Sequence, residues 1–149
     1  MTTRTIHPIL IVEDCPEDHE AMTRSLREAG LANPIFVCDD GDSALNYLYR
    51  RGKFAAPESA PRPGLILLDL TLPATDGREV LREIKSDPEL KGIPVVVMTS
   101  SFDLRDVEDC YLAGANSYVT KPVDLDGLVQ AVKRLKEFWF GIVVLPRAN

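Results

Sequence analysis

Cysteine is scarce in this 149-residue chain. The three present, Cys15, Cys38 and Cys110, are odd in number and include no C-x-x-C spacing. That argues against a disulfide framework and for a reducing, cytoplasmic setting. Each cysteine reads as a small, partly buried apolar residue. Histidine is scarcer still: His7 and His19 are the only two, and neither sits in ligand spacing with a cysteine pair, which argues against a zinc site. Long apolar runs are missing, since nothing approaches the ~20 residues of a membrane helix. The first run, Ile9–Val12, stops at Glu13 and Asp14, so no secretory signal is read there. Positive charge is in deficit, with 17 Lys and Arg against 23 Asp and Glu, a net −6. Such a balance speaks against non-specific nucleic-acid binding and against a polybasic membrane contact. At ~100–200 residues per domain the length suits one domain, with no obvious room for a second, output domain. The 45% hydrophobic and 27% charged fractions are those of an ordinary globular protein.

What is present is alternation. Ile9–Val12, Leu65–Leu68 and Val95–Met98 are short, continuously apolar and mostly β-branched or leucine. Continuous apolarity marks strands buried on both faces. Ile35–Cys38 and Ser117–Val119 are weaker and suit sheet edges. Helical patterns lie between: from Pro16 to a stop at Gly30, with Met22 and Leu26 on one face; from about Asp42 to Arg50, with Leu45 and Leu48 inward; from Asp76, carrying Val80, Leu81 and Ile84; from Asp103 to Gly114; and from Asp124, with Leu125, Leu128, Val132, Leu135 and Trp139 on one stripe. Five strand–helix units predict a doubly wound α/β fold, a parallel sheet with helices on both faces. Apolar strands at the centre and weaker ones outside give the flavodoxin-like order 2-1-3-4-5. The proline-containing stretch Arg51–Pro63 reads as a loop at the N-terminal end of the strands, and Phe138–Asn149 as a tail.

In such sheets, sites form beyond the C-terminal strand ends. Glu13 and Asp14 follow the first strand, Asp69 the third, Thr99 and Ser100 the fourth, Thr120 and Lys121 the fifth. Three carboxylates against one lysine leave local excess negative charge. Two like charges ~4 Å apart at an effective dielectric of ~20 repel by about 4 kcal/mol, so the cluster either takes up protons or binds a cation. Hard oxygens with open water positions suit Mg²⁺. A divalent ion, a lysine and a small hydroxyl around a carboxylate make a phosphoryl-transfer site. Asp69, ending the most central strand, is the best nucleophile, with Asp14 and less directly Glu13 as metal holders.

These pieces, Ile11-Val12-Glu13-Asp14, Leu67-Leu68-Asp69-Leu70-Thr71-Leu72-Pro73 with Asp76-Gly77, Val97-Met98-Thr99-Ser100 and Tyr118-Val119-Thr120-Lys121-Pro122, occur in order across residues 8 to about 139. The chain resembles the receiver domain of bacterial two-component response regulators. The resemblance implies that Asp69 accepts a phosphoryl group from a sensor histidine kinase. It implies that Asp14, Asp69 and the backbone carbonyl of Thr71 bind Mg²⁺, with Glu13 acting through water. Thr99 and Tyr118 would be the switch pair, Lys121 would contact the phosphoryl group, and Lys121–Pro122 would be a cis peptide. Thr71 and Ser101 would tune the phosphoryl lifetime.

Three other classes of protein fit the sequence less well. A haloacid-dehalogenase-like phosphatase needs a second Asp two residues after its nucleophile, and Thr71 stands there, with no useful pKa for acid–base work. The chain is therefore expected to be a signalling receiver rather than a turnover enzyme. A flavin- or nucleotide-binding module needs a phosphate-cradling loop after the first strand, where Glu13-Asp14-Cys15-Pro16-Glu17-Asp18 would repel one. A pseudo-receiver would not keep Asp14, Asp69, Thr99 and Lys121 together. The receiver would occupy 1–139. Residues 140–149 would form an arm, with Phe138, Trp139, Phe140, Ile142, Val143, Val144 and Leu145 docking on a second subunit to make a homodimer; packing back on the chain's own domain is the alternative. The Arg51–Pro63 insertion with this tail is similar to the single-domain regulators that accompany bacterial phytochromes. That makes a phytochrome-type kinase the expected partner, with output through protein contacts or a downstream phosphotransfer protein.

Overall fold

The computed structural model describes residues 7–147. Five strands, β1 (Ile9–Val12), β2 (Ile35–Cys38), β3 (Leu65–Leu68), β4 (Val95–Thr99) and β5 (Ser117–Thr120), alternate with five helices, α1 (Pro16–Glu28), α2 (Gly41–Tyr49), α3 (Gly77–Ser86), α4 (Leu104–Ala113) and α5 (Leu125–Gly141). The strands form one parallel sheet in the order β2-β1-β3-β4-β5, as the sequence pattern predicted.

The sheet explains its own sequence. Successive side chains of a strand point to opposite faces. Leu10 and Val12 of β1 enter a core shared with Ala44, Tyr47 and Leu48 of α2, Val80, Leu81 and Ile84 of α3, and Cys110 of α4. Ile9 and Ile11 enter the other core, with Ala21, Met22 and Leu26 of α1 and Leu128, Val132 and Trp139 of α5. A strand buried on both faces leaves little place for a polar residue, and in β1, β3 and β4 the only one is Thr99 at the end of β4. The outer strands β2 and β5 are covered only in part. On α2 the buried positions are Gly41, Ala44, Tyr47 and Leu48, while Leu45 packs only partly. The Tyr47 hydroxyl donates to the Pro61 carbonyl (2.7 Å) and its ring meets Phe54 edge-on at 5.3 Å. The proline-containing connection thus folds back over α2 through two short 3₁₀ turns, Gly52–Phe54 and Pro57–Ser59.

Helix starts follow capping chemistry. Asp40, Asp76, Asp103 and Asp124 each accept a hydrogen bond from a backbone N–H in the first turn that follows, the usual role of an N-cap carboxylate. Each of these helices begins where a strand has just delivered the chain to the C-terminal edge of the sheet. The same caps therefore fix the loops that carry the site.

Two expectations need correction. The Lys121–Pro122 peptide is trans, the isomer that X–Pro bonds favour intrinsically; in it the Lys121 amide donates to the Thr99 carbonyl (2.6 Å). And α5 continues through Gly141, because a glycine near a helix end costs only about 1 kcal/mol and the burial of Trp139 holds the turn in place. The tail residues therefore divide. Trp139 is buried, and Phe140, Val143 and Leu145 pack against the α1/α5 core. Phe138, Ile142 and Val144 stay exposed, at 48%, 73% and 93%. Large-to-small replacement of a buried tryptophan costs about 3–5 kcal/mol, so Trp139→Ala is expected to lower unfolding free energy by about that amount. Urea unfolding followed by circular dichroism checks this.

Candidate functional site

Three loops meet at the C-terminal edge of β1, β3 and β4. Glu13 and Asp69 continue the lines of β1 and β3 into the edge, and both are buried; Asp14, one residue on, is exposed. One carboxylate oxygen from each of Glu13, Asp14 and Asp69 lies within 4.8 Å of the others. Lys121, just past β5, reaches across the edge. Its Nζ donates to Glu13 Oε1 at 2.5 Å, to Asp18 Oδ2 at 3.1 Å and to Asp69 Oδ2 at 3.2 Å. The other Asp69 oxygen accepts from the Thr71 amide (3.2 Å), and the other Glu13 oxygen from the Cys15 amide (3.2 Å).

The loop after Asp69 is fixed by two close approaches. A Cβ on Gly77 would lie 2.1 Å from the Asp69 carbonyl oxygen, and one on Gly41 would lie 1.8 Å from the Thr75 carbonyl oxygen. Only glycine lets the starts of α3 and α2 close on this loop from both sides. The Gly77 amide donates to the Leu70 carbonyl and the Gly41 amide to the Pro73 carbonyl.

Charge dominates the site. Glu13, Asp14, Asp18 and Asp69 face a single ammonium. Burial, aided by the charge of Asp69, pushes the Glu13 carboxyl up to about 7 against the opposing hydrogen bond from Lys121. The Lys121 ammonium is held strongly protonated. Its burial works against charge, but the hydrogen bond to Glu13, the charges of Asp69 and Glu13 and the bond to Asp18 outweigh it. Hard oxygens from three residues, one of them exposed to water, are the donor set of a Mg²⁺-like cation that keeps part of its hydration shell. These residues fit such an ion.

Thr99 is fully buried and its Oγ1 has no hydrogen-bond partner among the described residues. An orphaned buried hydroxyl costs about 1–3 kcal/mol, so its position at the end of a central strand calls for an explanation other than stability. Tyr118 is half-buried in β5, and its hydroxyl donates to the Ser101 carbonyl (2.9 Å) in the loop after β4.

The edge thus gathers Glu13, Asp14, Asp69 and Lys121 into one cluster. Thr99 sits beside it on β4, and Tyr118 points to the next loop. Sequence reasoning missed Asp18 as a partner of Lys121. Asp18 lies in the first turn of α1, where an acid also serves the helix dipole, so the sequence alone does not set it apart. It also missed Arg78 and Asp106, which no strand-end pattern marks.

The chain belongs to the response regulator receiver domain family, whose model matches residues 9–133. It is similar to response regulator Rcp1 of Synechocystis sp. (strain ATCC 27184 / PCC 6803 / Kazusa), 42% identical over 140 residues that cover 94% of this chain and 93% of that one. Among solved structures it is similar to a Mn²⁺-bound form of Rcp1 (TM-score 0.88, 41% identity, 94% and 99% of the two chains). It is also similar to the phosphorylated cyanobacterial phytochrome response regulator RcpA (TM-score 0.89, 42% identity, 95% and 99%) and to the bacteriophytochrome response regulator AtBRR (TM-score 0.73, 40% identity, 91% and 96%). Among the described residues no helix is long and apolar enough to cross a membrane.

Proposed function

We propose that this response regulator takes a phosphoryl group on Asp69 from a sensor histidine kinase in a Mg²⁺-dependent reaction. The observation that carries the reading is the Asp69 carboxylate, buried at a strand end, fixed on one oxygen by the Thr71 amide and on the other by the Lys121 ammonium. In the step, a carboxylate oxygen of Asp69 attacks the phosphorus of a phosphohistidine. The P–O bond forms as the P–N bond breaks, and the imidazole leaves with the electron pair and takes a proton. Asp14, Asp69 and the Thr71 carbonyl would hold Mg²⁺, with Glu13 acting through water; the ion supplies neutralisation of charge on the phosphoryl oxygens. Lys121 turns from Asp69 to the phosphoryl group. Glu13 and Asp18 keep the ammonium within reach once Asp69 is modified.

The unpartnered Thr99 hydroxyl is the donor for a phosphoryl oxygen, which gives its buried orphan state a purpose. Its movement frees space that Tyr118 takes, so Thr99 and Tyr118 form a two-state switch. Thr71, at the mouth of the site, has no basic side chain to activate water, so the acyl phosphate persists as a signal. The similarity to phytochrome response regulators supports a phytochrome-type kinase as the donor, acting in the cytoplasm. Output then passes through protein contacts or to a phosphotransfer protein; the net charge of −6 disfavours non-specific nucleic-acid binding. Phosphotransfer to the parent chain and to Asp69→Asn tests the reading.

Of the apolar residues from Phe138 to Leu145, those left exposed are the ones that would meet a second subunit. Phe138, Ile142 and Val144 are the exposed apolar side chains of this strip, and Phe138 lines a groove of about 600 Å³ together with Val119, Ala131 and Leu135. A second copy offers a matching strip and groove, and a two-fold exchange buries both. Light scattering on a chain ending at Phe140 is expected to give monomer mass where the full chain gives dimer mass; an unchanged dimer would rule Ile142 and Val144 out as the main contact.

A further inference from the structure

The loop that holds Asp69 and the loop that holds the Tyr118 hydroxyl are joined by one guanidinium. Arg78 lies in the first turn of α3. Its Nε and Nη2 donate to Asp106 Oδ1 and Oδ2 of α4 at 2.9 and 2.8 Å, the bidentate fork geometry of the strong Arg–carboxylate pair. Its Nη1 reaches both oxygens of Asp76 (3.2 and 3.3 Å), the N-cap that ends the loop begun at Asp69. On the far side, Asp106 Oδ2 also accepts the Ser101 hydroxyl (2.6 Å), and the Ser101 carbonyl accepts the Tyr118 hydroxyl (2.9 Å). The path Asp76–Arg78–Asp106–Ser101–Tyr118 is a continuous set of hydrogen bonds running from the acceptor loop to β5. Arg78 is also only partly covered, its side chain 33% exposed against 20% for Asp106, so its contribution to folding is that of a surface pair. The geometry is more exact than a surface pair needs.

We infer that Arg78 is a positioning residue: it sets the β4–α4 loop against the Asp69 loop, and through Asp106 and Ser101 it determines how Tyr118 responds when Asp69 is modified. Arg78 touches neither the carboxylate cluster nor Lys121, so its removal leaves the chemistry of acceptance in place and changes what acceptance does. The inference rests on the switch reading above. A lysine at this position keeps the charge but cannot serve Asp106 in two-pronged fashion while reaching Asp76.

The test uses the full chain with fluorotyrosine in place of tyrosine, the Tyr118 signal being assigned with Tyr118→Phe. Mg²⁺ and beryllofluoride serve as the phosphoryl mimic. In the parent chain the mimic is expected to shift the Tyr118 resonance. In Arg78→Gln the resonance of the unliganded chain is expected to move already, and its response to the mimic to fall to less than half. Phosphoryl acceptance should stay within about threefold of the parent, a change worth under 1 kcal/mol. Asp106→Asn, nearly isosteric, is the second variant and should behave alike. The exchanged pair Arg78→Asp with Asp106→Arg should recover part of the response. Parent-like Tyr118 signals in both states of Arg78→Gln and Asp106→Asn would overturn the inference alone. A parent chain whose Tyr118 signal ignores the mimic would overturn the switch reading and this inference together.

Discussion

Asp69→Asn is expected to reduce phosphoryl acceptance by on the order of 10⁴-fold or more, which is to background, the scale of deleting a catalytic nucleophile. The amide nitrogen and oxygen of asparagine carry no charge and make a poor nucleophile. None of the neighbouring carboxylates replaces it, because Glu13 is buried against Lys121 and Asp14 faces solvent. The variant should fold as well as the parent. It removes one of the charges that crowd the edge, and the Thr71 amide can still donate to the side-chain oxygen. Asp69 is one of the causes that push Glu13 up, so the Glu13 carboxyl should titrate lower in Asp69→Asn, which carbon-detected NMR of the side chain reports. Loss of labelling together with an unchanged or raised melting temperature separates chemistry from folding.

Lys121→Ala carries the second large effect. Removing one preorganised donor from the charge that develops in a transition state typically costs about 10²–10³ in rate. Phosphotransfer should fall by that factor, with the concentration of kinase at half-maximal rate little changed. Its consequence for stability has a definite sign. In the metal-free parent, the Glu13 carboxyl is raised from its ordinary 4.5 to about 7 by burial and by Asp69. A raised carboxyl contributes stability that is complete below its unfolded value and is lost as the pH rises through its folded value. Without Lys121, the hydrogen bond that holds Glu13 down is gone. The loss should extend to higher pH and grow, as it must when buried carboxylates keep no cation. Urea midpoints measured across this range in chelator would show a decline that continues to higher pH for Lys121→Ala than for the parent. Added Mg²⁺ should restore more stability to the variant than to the parent if the two cations share the compensating role.

Much of this was legible beforehand because the strongest signals are physical necessities. A strand buried on both faces must read as an unbroken apolar run, so β1, β3 and β4 announced themselves. The order of the sheet then placed Asp14, Asp69, Thr99 and Lys121 on one edge. Less legible was anything that depends on a distance between helices. Asp18 looks like any acid at a helix start, and only the fold shows that Lys121 reaches it. Arg78 and Asp106 are 28 residues apart and sit on two helices whose mutual approach no periodicity encodes. The tail misled for a related reason. Its apolar residues follow a helix stripe at Trp139 and then an extended alternation, in which Val143 and Leu145 turn in while Ile142 and Val144 turn out. A composition reading gives those residues one fate.

The most direct test of the central claim locates the phosphoryl group. A phytochrome-type histidine kinase is first autophosphorylated with ATP and Mg²⁺ and freed of both, and the chain is then incubated with it in Mg²⁺ or in chelator. The chain is then reduced with borohydride, which converts an aspartyl phosphate to homoserine, and its peptides are sequenced by mass spectrometry. Homoserine is expected at position 69, only when phosphorylated kinase and Mg²⁺ are both present. Homoserine at another carboxylate, or equal modification of Asp69 in chelator, would contradict that claim.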